Sequence, residues 1–138
     1  MALQLHGICQ RGAHGWNPLR DRILGTTLSV CGLDLEILPT PGHSINQVAV
    51  LTADAAFLGD AVVAPALLER YPIQYCYDVP AHRATLERLA GLRKTWYVGA
   101  HFPPTQDLEG LVAANRRNLE RTADAVLAAV APAATMQT

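Results

Sequence analysis

The segment that most constrains the fold runs from residue 32 to residue 63 and reads GLDLEILPTPGHSINQVAVLTADAAFLGDAVV. Apolar and polar side chains alternate over Leu33–Leu38, which predicts a half-buried strand. The strand has to end at Thr40-Pro41-Gly42, because proline donates no ladder hydrogen bond and glycine permits a tight turn. His43 is therefore presented from a loop at the end of a strand.

Two more strands are predicted after this turn. Gln47–Thr52 and Ala55–Leu58 are apolar runs with a turn between them, and Gly59-Asp60 closes the second. The pattern places His43 and Asp60 at one edge of a sheet. Taken singly, each motif is typical of an ordinary turn. Together they offer an imidazole nitrogen and a carboxylate oxygen, which are donors suited to a metal cation.

The remaining elements follow from composition and spacing. We predict strands over Thr26–Val30 and Thr95–Val98, and helices over Ala66–Arg70, Pro80–Leu89 and Asp107–Val130. The strand before Gly99-Ala100-His101 ends there, so His101 also lies at a strand end. His82 falls on the predicted helix Pro80–Leu89 without a metal-binding partner one turn away, and we expect it on the surface.

Three of these motifs, in this order, resemble the metallo-β-lactamase superfamily. They are Pro41-Gly42-His43, Gly59-Asp60 and Gly99-Ala100-His101, and the resemblance runs from about Gly25 to about Leu119. It implies that His43, Asp60 and His101 are metal ligands. It also implies that Asp60 is the catalytic residue that bridges two metals, with His43 on one and His101 on the other.

The superfamily's HxHxDH run, which carries the remaining ligands and the aspartate that handles the attacking water, is absent from this sequence. The chain thus resembles the C-terminal half of the fold. We expect an α/β half of an αββα sandwich, a mixed sheet with two main helices on one face. Residues 1–138 are expected to form a single domain, with an irregular N-terminal segment (1–24), the half-sandwich (25–130) and a frayed tail (131–138).

The resemblance and the donor types predict metal-dependent hydrolysis. Zinc is the expected metal, with manganese or iron as alternatives, and the substrate is a small molecule with an ester, thioester, lactone, amide or phosphodiester bond. With the upstream ligands absent, neither metal has a complete shell. Tyr71, Tyr75 and Tyr77 cluster in one loop and are predicted to bind substrate; packing of the next helix on the sheet is an equal alternative.

Partners are predicted from the two-sided apolar character of the strands. Val48–Leu51 and Ala55–Leu58 are apolar on both faces, and two helices can cover one face only. The other face is expected to bind the missing N-terminal half or a second copy in a homodimer. Three hypotheses stay open: part of a hydrolase, a non-catalytic self-associating domain, or a reduced metal site that works unaided.

Composition excludes other classes of protein. The formal net charge of −1 and the absence of a basic stripe argue against nucleic acid as a partner. The sequence contains no apolar run long enough for a membrane span and no signal peptide pattern. The cysteines number 3, an odd count, and are widely spaced, which predicts reduced thiols in a cytoplasmic protein.

Overall fold

The computed structural model describes residues 27–134, with side chains as far as Ala131, so the predicted N-terminal segment lies outside the described residues. One mixed six-stranded sheet has the order β1-β2-β3-β4-β5-β6. The strands are β1 (Thr27–Val30), β2 (Leu33–Pro39), β3 (Val48–Leu51), β4 (Ala55–Gly59), β5 (Trp96–Gly99) and β6 (Phe102–Thr105). The helices are α1 (Pro65–Arg70), α2 (Val79–Ala90) and α3 (Leu108–Ala134).

The first four strands form an antiparallel meander, and the fifth joins it in parallel. In the first hairpin, Cys31 and Gly32 both have positive φ, at 51° and 79°. This is the backbone of a two-residue turn whose twist matches its flanking strands. The β4–β5 pair is parallel, so both strands end at the same edge of the sheet. The ends of β2, β4 and β5 thus carry the three predicted ligands.

The hydrophobic core lies between one face of the sheet and the two long helices. From the sheet come Ala49, Leu51, Ala56, Leu58 and Tyr97, and from the helices come Leu86, Leu89, Leu108, Leu111 and Val112. Every one of these side chains is buried. The predicted arrangement, a mixed sheet with two main helices on one face, is confirmed.

The opposite face of the sheet, which we call the open sheet face, is apolar and exposed. Phe57 is 46% exposed and Trp96 is 43% exposed. Leu28, Leu33 and Val48 lie on the same face and are exposed as well. Along β3 and β4 the side chains alternate strictly between core and open face, so these strands are apolar on both sides, as predicted.

Helix α3 is buried over a shorter stretch than its sequence period predicts. Leu108, Leu111 and Val112 are buried, but the later apolar positions Val126, Leu127 and Val130 are exposed. The core that the sheet and α2 provide ends before the helix does. In α2, Ala90 is exposed too, whereas Leu86 and Leu89 are buried.

Strand β6 is absent from the sequence-based prediction, because Pro103-Pro104 is a pattern typical of the end of a strand. The two prolines lie in the outermost strand of the sheet, where a missing N–H breaks no inner ladder. Within residues 27–134, no helix combines the length and the apolar content that crossing a membrane requires.

Candidate metal centre

Asp60 begins the turn that follows β4. Gly59 ends the strand with a φ of 55°, a left-handed conformation that favours glycine. The side chain of Gln47 supports the corner: with the amide assigned so that its oxygen faces the turn, this oxygen accepts the backbone N–H groups of Asp60 at 3.1 Å and Ala61 at 2.6 Å. Farther along, buried Asn115 accepts the N–H of Val63 at 3.0 Å and donates to the carbonyl of Val63 at 2.8 Å. The segment that carries Asp60 is thus fixed at both ends.

The turn that presents His43 is held by the start of α2. The hydroxyl of Thr85, buried in that helix, donates to the carbonyl oxygen of Pro41 at 2.7 Å. The carbonyl oxygen of Gly42 accepts the backbone N–H groups of Tyr77 at 2.8 Å and Asp78 at 3.1 Å. Gly42 has a φ of 137°, and an added Cβ would overlap the Cα of His82. Only glycine allows the turn and the helix to approach this closely.

The imidazole of His43 is oriented by the loop between α1 and α2. Its Nδ1 lies 3.1 Å from the carbonyl oxygen of Tyr75, and the two rings meet edge to face with centroids 5.5 Å apart. A carbonyl oxygen can only accept, so Nδ1 carries the proton. The neutral ring then has its lone pair on Nε2, which faces Asp60. Orientation of a histidine through its second nitrogen is typical of metal sites.

His101 reaches Asp60 from the neighbouring parallel strand. The N–H of Ala100 donates to the carbonyl oxygen of Gly59 at 3.1 Å, which ties the ends of β4 and β5 together. The next residue is His101, whose Nε2 lies 3.3 Å from Oδ1 of Asp60. On the other side of the carboxylate, Nε2 of His43 lies 4.0 Å from Oδ2. The structure therefore brings all three predicted metal ligands together.

The donor set fits a metal, and the two histidines approach different oxygens of one carboxylate. Two imidazole nitrogens and a carboxylate suit zinc. Among residues 27–134 no group of three or more His, Cys, Asp or Glu side chains is placed so that it could hold a metal ion. Asp60 lies between the two histidines, and the three donors are spread out.

The three tyrosines of the loop differ in their relation to this centre. Tyr75 contacts His43 and lines a small cavity together with His43 and Asp60. Tyr71 instead lies under the guanidinium of Arg70, 5.2 Å from ring centroid to Cζ. Tyr77 contributes its backbone N–H to the turn, while its side chain is exposed. Tyr75 alone of the three has a side-chain contact to a predicted ligand among the described residues.

The prediction that His82 is a surface residue is wrong. Its side chain is only 8% exposed and lines the same cavity as His43 and Asp60. Burial, and secondarily the nearby imidazole of His43, lower the pKa of His82. Cys76 lines the cavity as well, and burial raises the pKa of its thiol. Sequence spacing gave no sign of either position, because both depend on how α2 packs against the Gly42 turn.

Two solved structures match this arrangement over most of its length. A metallo-β-lactamase family protein from Thermus thermophilus superposes with a TM-score of 0.64 and 23% identity, over 78% of this chain and 37% of that protein. A metallo-β-lactamase from Pontibacter korlensis gives a TM-score of 0.56 and 21% identity, over 70% of this chain and 46% of that protein. The chain has part of the metallo-β-lactamase fold.

The likeness to metallo-β-lactamases is one of structure and is partial. The chain spans less than half the length of the two solved proteins. A scan of the sequence against protein-family models and a search of curated proteins find no match. The predicted fold, half of a metallo-β-lactamase sandwich, is confirmed by the structural matches. The roles of His43, Asp60 and His101 as metal ligands stay a prediction.

Proposed function

We propose that this chain is part of a metal-dependent hydrolase, in which it supplies one half of the active site. The observation that carries the proposal is the carboxylate of Asp60 between two imidazoles, with Nε2 of His101 at 3.3 Å and Nε2 of His43 at 4.0 Å. These residues leave three different strand ends and come together only in the folded chain. A cluster of this kind, with one imidazole already oriented by a backbone carbonyl, is suited to binding a cation.

Each residue has a distinct role in the proposed site. His43, Asp60 and His101 would supply part of the ligand set of the metal centre, for which zinc is the first choice and manganese or iron the alternatives. When bound, such a metal lowers the pKa of water and polarises the bond to be hydrolysed. The carboxylate of Asp60 would be the ligand between the two histidines, and the group that handles the attacking water would come from the complementary half. The carbonyl of Tyr75 keeps Nδ1 of His43 protonated and so keeps Nε2 available.

The exposed tyrosines give the site a surface for a small-molecule substrate. Tyr71, Tyr75 and Tyr77 are all exposed in one loop, and Tyr75 is in contact with His43. A tyrosine offers a flat apolar face together with a hydroxyl that can donate or accept a hydrogen bond. We propose that this loop binds the part of the substrate that flanks the ester, thioester, lactone, amide or phosphodiester bond.

Metal content per chain tests the proposal. The protein is purified without an affinity tag or added metal and analysed for zinc, manganese and iron. We expect bound metal in the unmodified chain and in Asp54→Asn, an exposed aspartate in the turn before β4, and loss of metal in His43→Ala and Asp60→Asn. Folded wild-type protein that is free of metal would contradict the proposal, as would equal metal in all variants.

A second candidate function is that of a non-catalytic, self-associating domain. The specific observation in its favour is the open sheet face, where Phe57 and Trp96 are exposed beside other large apolar side chains. An apolar surface of this kind is typical of a protein interface. We propose that the face is covered either by a complementary half of the fold or by a second copy of this chain.

Sedimentation with and without a chelator separates the two candidates. A self-associating domain forms a dimer whose sedimentation is unchanged by the chelator. A metal-dependent site instead has a lower melting temperature in the chelator, because metal binds the folded state only.

We also propose a cytoplasmic location, since Cys31 and Cys76 are free thiols and free thiols persist in reducing compartments.

A further inference from the structure

His82 is held against the turn that presents His43. An added Cβ on Gly42 would overlap both Cα and Cβ of His82, so helix and turn are in direct contact. The N–H of His82 donates to the carbonyl of Asp78 at 2.9 Å, as part of the first turn of α2. The ring therefore has little freedom to move away from the site.

The ring of His82 carries a buried polar atom without a partner. Nδ1 is inaccessible to solvent and makes no hydrogen bond with the described residues. An atom left in this state keeps the full desolvation cost of its burial. Most buried polar groups in proteins find a partner, and ordered water provides it where protein groups do not.

A cavity of suitable size and polarity adjoins this ring. It has a volume of about 20 Å³ and is lined by His82, His43, Asp60 and Cys76, among others. A cavity needs a volume of roughly 10–15 Å³, together with two to four polar partners, to hold one water molecule. The cavity therefore has room for one water. The polar residues of its lining include Asp60 and Cys76, and the thiol of Cys76 donates to the carbonyl oxygen of Gly42 at 3.4 Å.

We propose that this cavity holds one ordered water that hydrogen-bonds to Nδ1 of His82 and links helix α2 to the cluster of His43 and Asp60. Water donates and accepts, so it satisfies Nδ1 in either tautomer of the ring. His82 is then a positioning residue, which acts on the metal-binding groups through the water. The existence of the water is independent of the proposed function, whereas its effect on metal binding rests on it.

A high-resolution crystal structure of the metal-free protein tests for the water itself. We expect density for one water at about 2.7–3.2 Å from Nδ1 of His82. The substitutions His82→Asn and His82→Leu form a matched pair, because the two side chains have the same shape. Only asparagine keeps a polar atom near the position of Nδ1. The water should remain in His82→Asn and be lost in His82→Leu. A dry cavity in the unmodified protein would overturn the proposal.

Cobalt titration followed by absorption tests the positioning role. Loss of a group behind the ligands weakens metal affinity by about 10–100-fold, so we expect that loss in His82→Leu and near wild-type affinity in His82→Asn. Equal affinity in both variants would overturn the positioning role. Failure of the unmodified chain to bind cobalt would instead count against the proposed function, and the crystal structure would still decide whether the water is present.

Discussion

The carbonyl oxygen of Gly42 and the absence of a side chain at this residue together determine where His43 lies. The carbonyl is bound by two backbone N–H groups of the following loop, at 2.8 and 3.1 Å. The position of a Cβ is already filled by the backbone of His82. Any residue type would supply the carbonyl oxygen, but only glycine leaves room for the backbone of His82.

Gly42→Ala is expected to destabilise the protein more than Gly32→Ala does. Both glycines have positive φ, at 79° for Gly32 and 137° for Gly42, where a side chain strains the backbone by roughly 1–3 kcal/mol. A Cβ on Gly32 meets nothing within 4 Å, while one on Gly42 overlaps His82. Overpacking adds about 1–3 kcal/mol at Gly42. Urea unfolding of the two variants measures the difference. Equal losses in the free energy of unfolding would show that α2 moves away from the added Cβ at no cost.

His82 makes stability depend on pH. Its pKa is lowered in the folded state by burial and by His43, while in the unfolded chain it titrates near its ordinary value of about 6.5. As the pH falls below that value, the unfolded state takes up a proton that the folded state resists. Stability is therefore lost on acidification, with a slope of up to about 1.4 kcal/mol per pH unit.

Urea midpoints between pH 8 and pH 5, in the presence of a chelator, measure this slope. His82→Asn should flatten the profile, because asparagine does not titrate. An identical profile for the unmodified protein and for His82→Asn would mean that His82 is protonated equally in both states.

Sequence motifs located the three donors but not the groups that orient them. His43, Asp60 and His101 could be predicted because each follows a strand in a recognisable turn. Gln47 and Asn115 carry no such pattern; they act on backbone groups that are distant in sequence, and only the register of β3 and the packing of α3 bring them into place. The only sign in the sequence that such a residue bonds to the backbone is a polar side chain beside an apolar run.

At the scale of elements, α3 is divided into a buried first half and an exposed second half. Leu111 is 7% exposed and Leu127 is 64% exposed. The substitution of either by alanine removes the same atoms from the same helix. Leu111→Ala should therefore cost about 2–5 kcal/mol through a cavity in the core, and Leu127→Ala should change stability by no more than about 0.5 kcal/mol.

Denaturant unfolding of these two variants provides the measurement. A large loss in Leu127→Ala would show that the second half of the helix is buried in solution by a partner. The sequence alone could not divide the helix, because its apolar period continues through Val130 without a break. Strand β6 was not predicted because its pattern is interrupted. Two prolines in a row indicate the end of a strand unless the strand is known to be the outermost one in its sheet.

At the scale of the whole molecule, the open sheet face is the surface on which we propose that a partner binds. Phe57→Glu places a charge at the centre of this face, and we expect it to weaken self-association or binding of a complementary half. Leu127→Glu adds the same charge at another exposed apolar position and should have no effect on that association. Sedimentation equilibrium of both variants distinguishes association through the open sheet face from non-specific hydrophobic association.

The half-fold itself was predictable because strand alternation, turn residues and helix caps all favoured one arrangement. Asp78, for example, accepts the N–H of Ala81 at 2.9 Å and caps α2 as its sequence position indicates. What covers the open sheet face was not predictable in the same way. Apolar residues on both sides of β3 and β4 indicate that a cover is needed but carry no information about its identity.

The single parallel pairing, β4 with β5, has a consequence for the order in which the site forms. Strands β1 to β4 pair with their sequence neighbours, so their contacts are local and close rapidly; β5 must return across α1 and α2 before it can pair. We therefore expect the strands that precede His43 and Asp60 to pair before the strand that precedes His101 joins the sheet.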